Sequence, residues 1–180
     1  MGDSEWVHTS APYVRPRQQG QRDAWSEETA AQGHRGTQHI VHAREIPAPA
    51  EVAALLGATE GVGIVERRRI IYLEGNATEL TDTYYPADIA RETPLAGTAR
   101  IRGGAVTLLA GLGHTGHRVR EEISARMPSP AEQESLGLGD HEPVLQLTRV
   151  TLDSEEQPFQ VDVSVFPANT QRLRYEMRID

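Results

Sequence analysis

The stretch GIVERRRIIYLEGNATELTDTYYP, residues 63–86, places two runs rich in β-branched and aromatic residues on either side of Glu74-Gly75-Asn76. Such runs around a Gly/Asn turn read as an antiparallel hairpin, residues 62–73 against 77–86, because a tight turn needs residues that tolerate positive φ. Three consecutive arginines interrupt the first strand. Side chains alternate along a strand, so Arg67 and Arg69 share a face with Val65 and Ile71, while Arg68 shares the other with Ile64 and Ile70. Apolar residues in both registers indicate a strand covered on both sides. A covered arginine is expected to need an anionic partner, supplied by Glu66, a neighbouring strand or a ligand, because an unpaired buried charge is costly.

Outward from this hairpin, the chain alternates strands and short helices. TQHIVHAREI has strand character, and PAPAEVAALLG suits a short helix closed by Gly57. Val106, Leu108, Leu109 and Leu112 are spaced for a helix over 104–113, followed by a strand over 117–126. In SPAEQESLGLG, Ser129 stands at N-cap, Pro130 at N1 and Glu132 at N3, which predicts a capping box. PVLQLTRVTL and PFQVDVSVF form a second hairpin, and RLRYEMRI alternates as a terminal strand. The fold class read from this order is α+β, an antiparallel sheet with helices packed on one face. Residues 1–37 are polar and read as a tail or linker containing one short helix, AWSEETAAQG, with the folded domain spanning 38–180.

Composition narrows the function. Eighteen Lys and Arg against 26 Asp and Glu give a net charge of −8, so the surface as a whole repels phosphate backbones. The sequence holds no apolar run long enough to cross a membrane as a helix, and its N-terminus lacks the pattern of a signal peptide, so a soluble cytoplasmic protein is expected. The absence of cysteine excludes disulfides and thiolate chemistry. His39 with His42, and His114 with His117, are not spaced to preorganise a metal, and no nucleophile elbow or phosphate loop occurs, so neither metal nor cofactor is expected.

Three features nevertheless suggest a ligand site. In PFQVDVSVF, Phe159, Val161, Val163 and Val165 are expected on the core face, with Gln160, Asp162, Ser164 and Phe166 on the other. Phe166 adds a ring to that polar row. Gly103 and Gly104 precede a helix and leave its first amides accessible to an anion, with Arg102 alongside.

The hairpin, IRGGAVTLLAGLGHTGHRVREEISARM and MPSPAEQESLGL followed by EPVLQLTRVTLDSEEQPFQV together resemble the effector-binding domain of GntR-family regulators of the HutC type, the UTRA domain. That domain is similar in fold to chorismate lyase. The resemblance implies that a small molecule binds over the sheet, with an arginine of an Arg-x-Arg pair gripping its anionic group; Arg69 matches the first of these and Ile71 replaces the second. It implies that Gly103 and Gly104 share the anion, that Gln160 stands where sugar-phosphate-binding members carry Glu, and that Phe166 stands where they carry Tyr. The implied effector is therefore anionic with an apolar part. The resemblance also implies a homodimer that reaches DNA only through a separate or missing winged-helix domain. Alternatives are a small lyase-like enzyme using Asp162 or Glu122 as acid, and a dimerisation module with a vestigial pocket. Because the chain is acidic and no recognition helix is legible, it should by itself give no sequence-dependent duplex complex in a gel shift at moderate salt; a specific submicromolar complex would overturn this reading.

Overall fold

The computed structural model describes residues 6–18, 21–177 and 179. Its centre is a six-stranded, fully antiparallel sheet in the order β2-β3-β4-β7-β6-β5. The strands are β2 (Gly36–Pro47), β3 (Gly63–Leu73), β4 (Asn76–Pro86), β5 (Arg118–Arg126), β6 (Val144–Leu152) and β7 (Pro158–Pro167). A second, parallel pair joins β1 (Trp6–His8) to β8 (Gln171–Leu173). The helices are α1 (Ala24–Ala31), α2 (Ala50–Leu55), α3 (Ala87–Ala90), α4 (Ala105–Gly111) and α5 (Pro130–Leu136), with 3₁₀ turns at Ala11–Tyr13 and Pro94–Ala96. The molecule is thus α+β.

The β3–β4 hairpin closes through Glu74 and Gly75, with φ of 51° and 87°. Positive φ falls on Glu74 rather than on Asn76, which already begins β4. Two residues of positive φ match the right-handed twist of the strands they join. Both registers of β3 are covered, and this divides the helices between the two faces rather than leaving them on one. Ile64 packs with Val52 and Ala53 of α2 and with Tyr84, Val150 and Val161. Its neighbour Val65, on the opposite face, packs with Tyr85, Ala90, Leu95, Leu109 and Phe159. Helix α5 covers Val144 and Val165 on the α2 face through Leu136.

Phe159 departs from the expected alternation. It packs with Val65 rather than with Val161, beside a register shift between Thr151 and Leu152 that breaks the period of two. The terminal strand is also shorter than expected, since only Gln171–Leu173 is extended in a ladder. Residue 178 of that stretch lies outside the described residues.

Of the polar N-terminal segment, read from sequence as a tail or linker, the described residues 6–18 and 21–37 lie against the sheet. Trp6 and Trp25 are buried with Ile71 and Leu73, their rings 5.2 Å apart in an edge-to-face arrangement. Asp23 caps α1 by accepting from the Ser26 amide at 3.0 Å. Helix α1 lies so close to β2 that a Cβ on Gly36 would stand 2.5 Å from both Thr29 Oγ1 and Trp25 Nε1. Gly36 instead donates its amide to Thr29 Oγ1 at 3.1 Å. Its lack of a side chain is what lets the segment dock.

The capping box of α5 forms, with Ser129 accepting from the Glu132 amide and Glu132 accepting from Ser129 N at 2.7 Å. Hydrogen bonds from the Arg126 guanidinium, added to those from Ser129, outweigh partial burial and pull the Glu132 carboxyl from its ordinary value near 4.5 down to about 2. A depressed folded-state pKa stabilises the fold above the unfolded value and loses that contribution as pH falls through the folded one. Glu132→Gln should therefore be less stable than wild type at neutral pH, and the gap should close between about pH 4.5 and pH 2, read by denaturant midpoints across pH. A gap that persists at the acid end would contradict the assignment.

Candidate functional site

The face of the sheet opposite α2 carries a floor of polar side chains set by strand register. Arg67 stands opposite Thr83, Thr83 opposite Asp162, Asp162 opposite Arg149, and Arg149 opposite Glu121, so one row crosses five strands. The next row toward the hairpin turn is Arg69, Thr81, Ser164 and Leu147. Over this floor lies a cavity of 610 Å³. Its walls are the start of β2, the loop leading into α4, and the N-terminal segment with His8, Tyr13, Arg15, Arg17 and Asp23 to Ser26.

The cavity gathers cations from an acidic chain. All eighteen basic residues of the protein are arginines, and six of them (Arg15, Arg17, Arg67, Arg69, Arg100 and Arg149) line it, against three carboxylates, Asp23, Glu79 and Asp162. Several of these arginines are already committed. Arg149 donates to Glu121 Oε1 at 2.6 Å and to Ser10 Oγ at 3.0 Å. Arg100 pairs with Asp23 at 2.5 Å; burial raises the Asp23 carboxyl, but the Ser26 amide and Arg100 outweigh it and hold the group below its usual range.

The three consecutive arginines have three different fates. Arg67, only 4% exposed, donates to the carbonyls of Pro94 at 3.1 Å and Ala99 at 2.9 Å. The anionic partner expected for a covered arginine is replaced here by two backbone dipoles. Arg68, on the other face, makes a two-pronged, half-exposed pair with Asp82 at 2.7 and 2.6 Å. Arg69 lines the cavity, donates from Nη2 to Thr83 Oγ1 at 3.2 Å, and keeps its buried Nε without a hydrogen-bond partner.

Thr83 also donates to Asp162 Oδ1 at 2.7 Å, and Gln160 Nε2 donates to Asp162 Oδ2 at 2.7 Å. Asp162 thereby knits Arg69, through Thr83, to Gln160. Beside them, Thr81 and Ser164 share a hydroxyl contact of 2.9 Å, and Thr81 also donates to Glu79. Burial, with the Asp162 charge added, pushes the Tyr85 phenol well above its ordinary range, so it stays protonated.

Of the residues singled out from sequence, Arg69, Gly103, Gly104, Gln160 and Asp162 line this one cavity. Arg102 does not: it is exposed, and Arg100, two residues earlier, occupies the wall instead. Phe166 does not line it either. It is 2% exposed, and the His8 ring, 5.5 Å away, lines the cavity in its place. His8 in turn lies 4.6 Å from the Tyr13 ring, and burial lowers its pKa, favouring the neutral imidazole. Gly103 and Gly104 have φ of 75° and 84°, a turn open only to glycine at low cost. The Gly104 amide, expected to be available to an anion, already donates to Ile101 O at 3.1 Å. The N-terminal contributors escaped the sequence reading; the one signal for them was a pair of tryptophans in an otherwise polar segment.

Among the described residues, no group of three or more His, Asp or Glu is placed to hold a metal, and no helix is long and apolar enough to cross a membrane. A family model described as "UTRA domain" matches residues 31–172. The HTH-type transcriptional regulator GgaR of Escherichia coli (strain K12) is 25% identical over 144 residues, 78% of this chain and 54% of that protein. The uncharacterized HTH-type transcriptional regulator SCO4628 of Streptomyces coelicolor is 34% identical over 110 residues, 59% of this chain and 40% of that protein. The chain thus spans about half the length of the curated relatives it matches, or less. Among solved structures, the effector domain of PhnF from Mycobacterium smegmatis superposes with a TM-score of 0.74 at 21% identity, covering 92% of this chain and 99% of that one.

The different settings of Arg67 and Arg68 give a direct test of the floor. Arg67→Met strands the Ala99 carbonyl, while Pro94 O keeps the Gly97 amide, and should cost about 2 kcal/mol in urea denaturation, whereas Arg68→Met removes a surface pair worth about 1 kcal/mol or less. The reverse ranking would mean that the strand faces the other way.

Proposed function

The chain belongs to the UTRA domain family, and on that footing we propose that it is the effector-sensing part of a GntR-type, HutC-class transcriptional regulator. Its cavity takes a small anionic molecule that also carries an apolar or ring-bearing part. The observation that supports this most is the Arg69 guanidinium, which belongs to the wall of a 610 Å³ cavity and whose buried Nε has no partner. A buried donor left unsatisfied in a folded protein calls for an explanation, and a bound oxyanion supplies one. The excess of arginine around the cavity would raise the local concentration of anions above what a chain of net charge −8 otherwise attracts. Gln160 and Asp162, locked together and to Thr83, offer a fixed pattern for hydroxyl or amine groups of the same molecule.

In this reading the protein is a binder rather than an enzyme, works in the cytoplasm, and needs neither metal nor cofactor. DNA is contacted by another segment or protein, as the names of the HTH-type relatives suggest. A homodimer is part of the proposal. The outer strands β2 and β5 leave ladder edges to be paired or covered, and β5 is largely exposed, including Ile123.

The experiment is a thermal-shift screen of carboxylate and phosphate metabolites. A true effector should raise the melting temperature of wild type and of Arg68→Ala, while Arg69→Ala, still folded, should lose the shift. Loss of the shift in Arg68→Ala with retention in Arg69→Ala would put the site on the opposite face.

A further inference from the structure

We propose that Arg17, on the N-terminal segment, is a second anion-binding residue of this cavity, so that a carboxylate or phosphate is held from the sheet by Arg69 and from the segment by Arg17. This rests on the reading of the cavity as an effector site. Among the described residues, the buried side-chain nitrogen and oxygen atoms without a hydrogen-bond partner are Trp6 Nε1, Arg17 Nε and Arg69 Nε. Trp6 belongs to the tryptophan cluster and does not line the cavity, whereas Arg17 and Arg69 both do. Two orphaned guanidinium donors in one cavity, arriving from elements far apart in sequence, share the need for an oxyanion.

The position of Arg17 is fixed independently of its charge. Its backbone amide donates to Thr107 Oγ1 at 3.0 Å, and Thr107 donates to Gly103 O at 2.8 Å, which pins the residue over the first turn of α4 where Gly103 and Gly104 reach the cavity. Its side chain is 16% exposed, and its pairing with Glu27 engages Nη1, leaving Nε for another acceptor. A guanidinium held in this way can present a fork to an oxyanion with little further ordering. The consequence is that the effector bridges the sheet and the N-terminal segment, so that occupancy of the cavity becomes a property of that segment as well as of the sheet.

The test uses inorganic phosphate and succinate as probes, titrated by calorimetry into wild type, Arg17→Gln, Arg69→Gln, Glu27→Gln and Arg22→Gln. Arg22 is exposed on the same segment and controls for loss of one positive charge. Arg17→Gln and Arg69→Gln should each weaken binding of whichever probe wild type accepts by about tenfold or more, the loss expected for one charge-assisted donor. Glu27→Gln and Arg22→Gln should bind within about twofold of wild type, because Glu27 is a partner of Arg17 and not of the anion. If Arg69→Gln loses binding while Arg17→Gln keeps it, the inference about Arg17 is overturned and the cavity reading stands. If Glu27→Gln loses as much as Arg17→Gln, Arg17 acts only by holding the segment in place, and the inference again falls. If wild type accepts neither probe, the cavity reading fails together with it.

Discussion

A guanidinium removed from water must find acceptors, and β3 places two of them on a covered face of the sheet, at Arg67 and Arg69. Much of the architecture on that side can be understood from how each is satisfied. Arg67 fixes the loop between α3 and α4 by binding the Pro94 and Ala99 carbonyls, which holds that loop as one wall of the cavity. Arg69 has the Thr83 hydroxyl and nothing for its Nε. Two adjacent positions of one register therefore divide the work, one building the wall and the other left facing the space it encloses.

Part of the wall of that space is the chain's own N-terminal segment. Helix α1 can rest on β2 because Gly36 has no side chain, and the two indoles then seal against Ile71 and Leu73. The same segment brings His8 against Phe166 and stations Arg15, Arg17 and Asp23 along the rim. Phe166 thus serves as support for a cavity-lining ring rather than as the lining itself. An effector bound as proposed would touch that segment directly, since His8, Tyr13, Arg15, Arg17 and Asp23 form part of the wall.

What could be read from sequence was local. Both hairpins, the capping box at Ser129 and Glu132, and the alternation that separates Arg68 from its neighbours depend on residues within a few positions of one another. Gln160 and Asp162 follow from the same alternation once the strand is recognised. Phe159 was misplaced because a register shift changes the face, and periodicity alone carries no warning of it. Arg100 was missed in favour of Arg102 because a loop has no period from which to argue direction. The N-terminal segment looked solvated because its composition is polar, while its docking rests on two tryptophans and one glycine whose partners lie more than thirty residues away or across a close helix–strand contact. Arg67 and Arg69 could not be separated by pattern at all; the difference is the presence of two carbonyls within reach of one and not the other.

The Arg69 Nε–H has no acceptor in the folded protein, and the proposed effector would supply one. Side-chain NMR of the arginine Nε–H groups, with resonances assigned by single Arg→Lys variants and followed during titration with an anion that raises the melting temperature, reports on that donor directly. The Arg69 resonance should shift downfield and become protected from solvent exchange as the ligand is added, while the Arg68 resonance, already paired with Asp82, should stay where it is. An Arg69 resonance that remains unchanged at saturating ligand would mean that Arg69 does not bind the anion.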